Sequence, residues 1–381
     1  MKLADLVTIK KGKKPADIVY EEQPGFRRLL QIDDLRAHAR NKYCPPSNEE
    51  VWAEPRDIVI AWDGANAGTS NFGLSGVLGS TLAVLSPMSD GIFSPYLGHF
   101  LKSQATFLRK MCNGAAIPHI DGQVLGALNI PLPPLPEQRR IAAILDQADA
   151  LRAKRRAAMT MFGYLARSIF VDLFGDPATN PKGWDRAELS SLVEGQGGIK
   201  CGPFGTQLGK HEYRSCGVPL WGIRQVNRQF TIGTNEYLSE EKAATLTDYN
   251  LCGGDIVMTR KGTVGNCAVY PKHLPIGVMH SDLLRIRLNP LADTTFMTFQ
   301  LRHSREITHQ LSVMSSGAVM PGINVSKLKS LRVLIPPLAL QQQFSDWLAA
   351  CDILSDQNRS ALGLLDDLFA SLQHRAFQGT L

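Results

Sequence analysis

The sequence has no paired cysteine motif and no long uncharged apolar run. Its 381 residues include seven cysteines, an odd number with no CxxC pair, and this spacing fits neither a disulfide framework nor a zinc site. No apolar run approaches the ~20 residues that a membrane-spanning helix needs. The N-terminus places its lysines after a short apolar stretch, which is the reverse of a secretory signal. We therefore expect a cytoplasmic chain without metal ligands.

Catalytic motifs are also missing from the sequence. There is no GxxxxGK[ST] loop for ATP, and the glycine-rich stretch at 194–205 does not match GxGxxG after a strand. SPYLGHF at 94–100 lacks the second proline of the tetrapeptide with which amino-methyltransferases hold adenine. His119 and Asp121 stand together without a nucleophile motif. We expect a chain that is not an enzyme and that binds no cofactor itself.

What the sequence does contain is a repeat with an offset of 203 residues. The stretch IPLPPLPEQRRIAAILD at 130–146 matches IPPLALQQQF at 335–344, with the proline pair and one glutamine in equivalent positions. Three more pairs of segments follow in the same order: 113–134 with 316–337, 56–68 with 254–265, and 3–15 with 189–200. Because the order is kept along the whole length, the chain is interpreted as an internal duplication.

Each half is predicted to be a β-rich domain followed by a long helix. Short β-like runs such as DIVIAW and DIVMTR are cut by glycine and proline. After the repeated prolines, apolar residues recur at alternating spacings of three and four, as in a helix–helix seam. The prolines end the last strand, since proline cannot continue a sheet ladder. The predicted fold is α+β, and its predicted segments are domain 1–131, helix 132–175, domain 176–335 and helix 336–381.

The two predicted helices differ in charge. Residues 132–175 carry seven basic and four acidic side chains, whereas residues 336–381 carry two basic and five acidic ones. This difference favours pairing of the helices with each other, as an antiparallel coiled coil whose midpoints fall near Arg155 and Asn358. We expect these two polar side chains to meet and to fix the register of the pair. The alternative is that Arg155 extends out of the seam into solvent.

Polar and basic side chains are concentrated in loops of both β-rich domains. The net charge is +6, and residues 176–335 carry 18 basic against 13 acidic side chains, which favours a polyanionic partner. Arg, Lys, Asn, Gln and His side chains on loops are the usual contacts to bases and phosphates. The candidate DNA contacts are Lys11, Lys13, Lys14, Arg27, Gln31, Trp62 and Asn66 in the first domain, and Arg224, Gln225, Asn227, Arg228, Arg260, Lys261 and His280 in the second. For each single residue, the alternative is an ordinary solvated position.

The repeated proline pair before a long helix, and the duplicated order of β-rich domain and helix, resemble the specificity subunits of type I restriction–modification systems. The resemblance covers essentially the whole chain, although Glu137 has no acidic counterpart in the second copy. It implies two target recognition domains that each read half of a split DNA site, joined by spacer helices. The implied partners are double-stranded DNA, two adenine-N6 methyltransferase subunits and optional restriction subunits. The complex would use S-adenosylmethionine, with ATP and Mg²⁺ where a restriction subunit is present.

Two other classes of protein remain open at this point. One is the recognition subunit of a related system in which methyltransferase and nuclease share one partner chain. The other is a helical scaffold that recruits proteins without contacting DNA. The basic balance of residues 176–335 favours DNA binding, whereas the near-neutral first domain is compatible with the scaffold.

Overall fold

The computed structural model of the protein describes residues 1–36, 41–114, 117–315 and 322–381. One pair of repeat segments, 113–134 with 316–337, lies partly outside the described residues. The chain divides into two compact units, which are described separately below.

The first unit consists of residues Met1–Ala158 and Asn358–Leu381. Its elements are β1 (Val7–Lys11), β2 (Arg27–Leu30), β3 (Tyr43–Cys44), β4 (Trp52–Ala53), β5 (Ile58–Ala61), β6 (Ser70–Phe72), β7 (Gly76–Leu78), β8 (Leu82–Pro87), α1 (Ser94–Lys110), α2 (Gly122–Gly126) and the first part of α3 (Leu135–Phe174). One sheet is antiparallel, in the order β1-β8-β5-β6, and the other has the order β3-β2-β7-β4, in which β2 and β7 run parallel.

The second unit consists of residues Met159–Gln357. Its elements are β9 (Asp185–Glu188), β10 (Ile199–Cys201), β11 (Val218–Trp221), α4 (Ile223–Asn227), β12 (Tyr237–Leu238), α5 (Glu240–Ala244), β13 (Asn250–Leu251), β14 (Ile256–Thr259), β15 (Cys267–Val269), β16 (Gly277–Met279), β17 (Leu283–Ile286), α6 (Thr294–His303), α7 (Arg305–Ser315), α8 (Val325–Lys329), β18 (Arg332–Ile335) and α9 (Leu338–Gln378), the last of which ends in the first unit. The sheets have the orders β10-β17-β14-β15 and β12-β11-β16-β13, with β11 parallel to β16, and β18 pairs with β9. The predicted duplication is thus confirmed in the topology.

The central strand β5 shows why its sequence reads as a continuous apolar run. Ile58 and Ile60 point into the core that contains α1, whereas Val59 and Ala61 point into the core shared with the second sheet. Both faces of the strand are therefore buried, and an alternation of polar and apolar residues is not required. The equivalent strand β14 is buried along its whole length in the same way.

A buried glutamine closes the joint between the proline pair and α3. Gln138 is 1% exposed. Its Oε1 accepts a hydrogen bond from the backbone N–H of Phe93 at 2.8 Å, and its Nε2 donates to the carbonyl oxygens of Pro133 at 2.8 Å and Gly91 at 3.1 Å. The amide therefore gives hydrogen-bond partners to Pro133 in the proline-containing segment and to two backbone groups directly before α1.

The second copy of the joint is built in the same way. Gln341 is also 1% exposed. Its Oε1 accepts from the backbone N–H of Asp293 at 2.9 Å, and its Nε2 donates to the carbonyl oxygen of Pro336 at 2.7 Å. The glutamine that recurs in the sequence at the offset of 203 therefore performs the same structural task twice.

Within the first unit, α3 and the last part of α9 pair in antiparallel orientation, as predicted. The contacts move backwards along α9 as they advance along α3: Arg140 bonds the carbonyl oxygen of Leu381 at 2.8 Å, Arg152 bonds Asp366 at 2.6 Å, and Arg155 bonds Asn358 at 2.7 Å. Basic side chains of one helix thus meet acidic and amide side chains of the other, as the charge difference indicated.

The predicted meeting of Arg155 with Asn358 can be described directly. Arg155 Nη1 donates to Asn358 Oδ1 at 2.7 Å, and Asn358 Nδ2 donates to the backbone oxygen of Arg155 at 3.3 Å. Asn358 is 6% exposed, whereas the arginine is exposed. The Arg155 side chain therefore extends towards solvent and still forms a hydrogen bond with Asn358. Its role in fixing the register stays a prediction.

The apolar content of α3 bears on the expectation that the chain has no membrane-spanning run. An 18-residue window of this helix has a mean hydropathy of 1.3, so that by length and composition alone the helix could cross a membrane. In the second unit the C-terminal part of α3 uses apolar side chains for packing: Phe170 and Phe174 are buried against Phe296 and Phe344. The hydropathy of this stretch is explained in part by that aromatic cluster.

We predict that Gln138→Ala destabilises the protein by roughly 1–3 kcal/mol, because the N–H of Phe93 and the carbonyl of Pro133 lose their partner in the joint. Chemical denaturation followed by circular dichroism would measure the loss. Gln147→Ala is the control, since Gln147 is exposed on the same helix. Equal stability of the two variants would contradict the role assigned to Gln138.

The register role of Arg155 and Asn358 predicts a coupling of about 0.5 kcal/mol or more in a double-mutant cycle with alanine. The measurement is the unfolding free energy of both single variants and of the double variant. If the losses of unfolding free energy in the two single variants add up to the loss in the double variant, the two residues are not coupled. Arg155 then only extends into solvent, as the alternative interpretation holds.

Candidate nucleic-acid interface

In the second unit, the polar loop after β11 is held in shape by Gln225. The backbone N–H of Gly222 donates to Gln225 Oε1 at 3.1 Å, and Gln225 Nε2 donates to the carbonyl of Gly233 at 3.1 Å. Gln225 is 7% exposed. Both ends of its amide are used inside the loop, which favours a structural role over the predicted DNA contact. Its neighbours Arg224 and Arg228 are exposed.

The first unit has the same capped loop after β2. The backbone N–H of Gln31 donates to Asp34 Oδ2 at 2.7 Å, and Arg28 forms an ion pair with the same carboxylate. Asp34 is 7% exposed and so corresponds to Gln225 as the capping residue. The position before it is exposed in both copies, with Asp33 in the first unit and arginine in the second. A common loop frame therefore presents opposite charges.

Candidate residues from three segments of the second unit come together in the structure. Asn227, at the end of α4, accepts a hydrogen bond from Asn266 Nδ2 at 2.7 Å and lies 3.5 Å from Thr263 Oγ1. Lys261 pairs with Asp282 at 3.0 Å, and His280 Nδ1 lies 3.3 Å from the same carboxylate. Segments 221–230, 259–265 and 279–282 thus form one polar surface. Asn266, Thr263 and Asp282 were not named as candidate contacts, although each bonds to a candidate residue.

Arg260 lies at the edge of this surface and stacks on an aromatic ring. Its guanidinium is 4.8 Å from the ring centroid of Phe204, and its Nη1 donates to Cys201 Sγ at 3.0 Å. Burial raises the pKa of the Cys201 thiol, which therefore accepts the bond as a neutral group. Phe204 itself is 52% exposed. The glycine-rich stretch that fits no nucleotide loop thus supplies an exposed aromatic side chain beside the basic residues.

In the first unit, several of the predicted basic side chains already have acidic partners. Three ion pairs are formed: Lys11 with Asp63 at 2.7 Å, Lys13 with Glu49 at 2.8 Å, and Arg27 with Glu50. The two predicted amides are also engaged, since Gln31 accepts a hydrogen bond from Lys42 at 2.5 Å and Asn66 accepts one from Arg36. Lys14 is exposed. Trp62 is partly buried against the core of the unit and contributes to packing. The loop face of this unit is therefore closer to neutral than that of the second.

A glycine with positive φ shapes the same turn in both units. Gly68 and Gly265 both have φ +88°, a conformation that side chains with a Cβ rarely adopt. At Gly68 a Cβ would also lie 3.1 Å from the carbonyl oxygen of Ala105. The duplicated glycine therefore holds the turn that carries Asn66 in one unit and Lys261 in the other.

Within the described ranges, no group of three or more His, Cys, Asp and Glu side chains could hold a metal ion. The polar surfaces described above consist of hydrogen-bonding and charged side chains on short loops. Such side chains recognise the edges of bases and the phosphates of nucleic acids.

Comparisons with known proteins identify the family. The family model "Type I restriction modification DNA specificity domain" matches residues 1–160 and 181–361, once for each half of the repeat. The chain therefore belongs to the type I restriction–modification specificity family, as the resemblance of its sequence indicated.

Curated relatives agree with this assignment. The MjaVIII specificity subunit of Methanocaldococcus jannaschii is 27% identical over 375 residues, which covers 94% of this chain and 87% of the relative. The EcoKI specificity subunit of Escherichia coli strain K12 is 24% identical over 357 residues, covering 86% of this chain and 75% of the relative.

A solved structure shares the fold. The crystal structure of the S subunit from M. genitalium aligns with a TM-score of 0.60 at 16% identity, over 99% of this chain and 95% of that one. A chain from a study of complex assembly and conformational transition of a type I system also aligns with a TM-score of 0.60, at 15% identity and over 100% and 97% of the two chains. At these sequence identities, both alignments show that the fold is shared.

Substitution of the adjacent residues Arg224 and Gln225 after β11 is predicted to change different properties of the protein. Arg224→Ala should weaken duplex binding by roughly 1–3 kcal/mol and leave the melting temperature unchanged, because the side chain is exposed. Gln225→Ala should lower the melting temperature, because buried backbone groups lose a partner. Fluorescence anisotropy with labelled genomic duplex and differential scanning calorimetry would separate the two effects. Loss of stability in Arg224→Ala would contradict this assignment.

Proposed function

We propose that this chain reads a bipartite DNA target, with each unit recognising one half, and that it directs partner subunits to that target. The observation that carries the proposal is the repeated loop frame with different exposed side chains. Capping by Asp34 in one unit and Gln225 in the other holds the same loop, while the exposed neighbours are Asp33 and Arg224. A protein that reads two different half-sites requires this combination. The common loop frame positions the protein on the DNA, and the exposed side chains determine which bases are recognised.

We further propose that the long helices set the gap between the half-sites. Residues of α3 and of α9 belong to both units. A helix of about 40 residues extends for about 60 Å at 1.5 Å per residue. Stiff linkage makes the second DNA contact intramolecular and restricts the spacing between the half-sites.

The chemistry would be supplied by partner chains in the cytoplasm. We propose two adenine-N6 methyltransferase subunits that bind S-adenosylmethionine, and restriction subunits that use ATP and Mg²⁺ where they are present; this chain would bind none of these cofactors itself. Large apolar side chains exposed on the helices support docking of such subunits, among them Met161 at 67%, Tyr164 at 62%, Ile353 at 61% and Leu364 at 70%.

The proposal predicts a split methylation motif. The chain would be co-expressed with the methyltransferase encoded beside it, and N6-methyladenine would be mapped across the host genome by single-molecule sequencing. Two short defined parts around a fixed undefined gap are expected. A continuous motif would contradict the two-reader proposal, and a stable complex without methylation would favour the scaffold.

Matched variants assign the two half-sites to the two units. Arg224→Ala should relax base preference in one part of the motif, and Asp33→Ala should relax it in the other. The gap should stay unchanged in both variants, because neither residue lies on a long helix. If both variants altered the same half, the assignment of one half-site to each unit would be wrong.

A further inference from the structure

In the first unit, the chain's own side chains fill part of the groove between the paired helices and α1, beside a cavity of about 460 Å³ that Ser103 and Ala370 line. The guanidinium of Arg152 lies 4.2 Å from the ring centroid of Phe369. It also bonds Asp149 at 2.8 Å and Asp366 at 2.6 Å. One arginine, one aromatic ring and two carboxylates thus occupy this part of the groove.

In the second unit, the equivalent positions have smaller side chains. With the offset of 203, Ser355 stands for Arg152, Ala166 for Phe369 and Gly163 for Asp366. These three residues line a cavity of about 740 Å³. The cavity is therefore the part of the repeated groove that the second copy leaves unfilled.

The lining of this cavity combines an apolar floor with basic side chains. Phe162, Phe299 and Leu348 supply the apolar part, and Arg167 and Arg302 supply the charge. With its amide oxygen facing the arginine, Gln229 accepts from both terminal nitrogens of Arg302 at 2.6 and 3.0 Å. Asp352, the counterpart of Asp149, is the carboxylate among the described lining residues.

The positive field in the groove also acts on a neighbouring histidine. Burial, together with the charges of Arg302 and Arg167, lowers the pKa of His303 to about 4. Neither arginine forms a salt bridge within the described part of the chain. An acidic group entering the groove would therefore meet two guanidinium groups that form no salt bridge with a carboxylate of the described residues.

We propose that this groove receives an acidic side chain of the methyltransferase partner between Arg167 and Arg302, and that the two docking positions of the chain are therefore not equivalent. The inference rests on the proposed function, because it concerns the partner proposed there. A protein side chain fits better than a DNA phosphate, since its aliphatic stem would cover the apolar floor while its carboxylate reaches the arginines. The groove of the first unit is closed to such a side chain where Arg152 and Phe369 lie.

The first test reverses the charge of the groove. Purified chain would be titrated with its methyltransferase subunit, and assembly followed by native mass spectrometry and sedimentation velocity. Arg167→Glu should weaken binding of one of two methyltransferase subunits by roughly tenfold or more. Lys154→Glu, an exposed reversal on the same helix in the first unit, should stay within about twofold of the parent.

The second test fills the groove without changing charge. A Cβ at Gly163 would meet no atom within 4 Å, so Gly163→Leu is expected to fold, and leucine also favours the helix more than glycine does. Gly363→Leu is the matched control, since Gly363 also has no neighbouring atom within 4 Å. At concentrations that give two methyltransferase subunits per parent chain, Gly163→Leu should retain one and the control two.

Several outcomes would overturn the inference. If Arg167→Glu weakens duplex binding by the isolated chain and leaves methyltransferase binding unchanged, the groove serves a phosphate. If both leucine variants lose subunits equally, or if neither loses any, the two docking positions are equivalent. Failure of the proposed function is distinguishable, because then the parent chain itself would bind no methyltransferase or would direct no split motif.

Discussion

The buried glutamine behind each proline pair is the interaction on which the architecture depends. Gln138 and Gln341 each tie the start of a long helix to the backbone of the β-rich part of the same unit. Prolines at this place free the chain from the sheet but leave backbone groups without partners, and one amide satisfies a donor and an acceptor together. Because each helix starts from such a fixed joint, the side chains farther along it reach their partners in a defined register.

The two units show how one frame supports divergence. Buried carboxylate or amide caps hold the loops, and positive-φ glycines hold the turns, so the exposed positions between them can change without cost to the fold. The groove beside the helices follows the same pattern. The aromatic ring and arginine that fill part of it in one unit are replaced by alanine and serine in the other.

Much of the fold could be predicted from the sequence, because its strongest signals are local. Proline pairs, glycine turns and a three–four apolar spacing each reflect backbone geometry, and their duplication reinforced them. It could not be predicted in the same way that Arg224 is exposed whereas Gln225 is buried and bonds the backbone. Both are polar residues in one short loop, and only the path of the backbone determines which of them turns inward. The ion pairs of Lys13 and Arg27 could not be predicted either, since their partners Glu49 and Glu50 are distant from them in sequence.

The composition of the units also has a consequence for synthesis of the protein. The second unit is one continuous segment, residues 159–357, whereas the first needs residues 358–381 to complete its core, where Phe369 and Ala376 are buried. On the ribosome, residues 1–158 are made before residues 358–381 and must therefore wait for them. During that interval the first unit's apolar groove beside α1 is uncovered, so this unit is the more exposed of the two to chaperones and to misassembly.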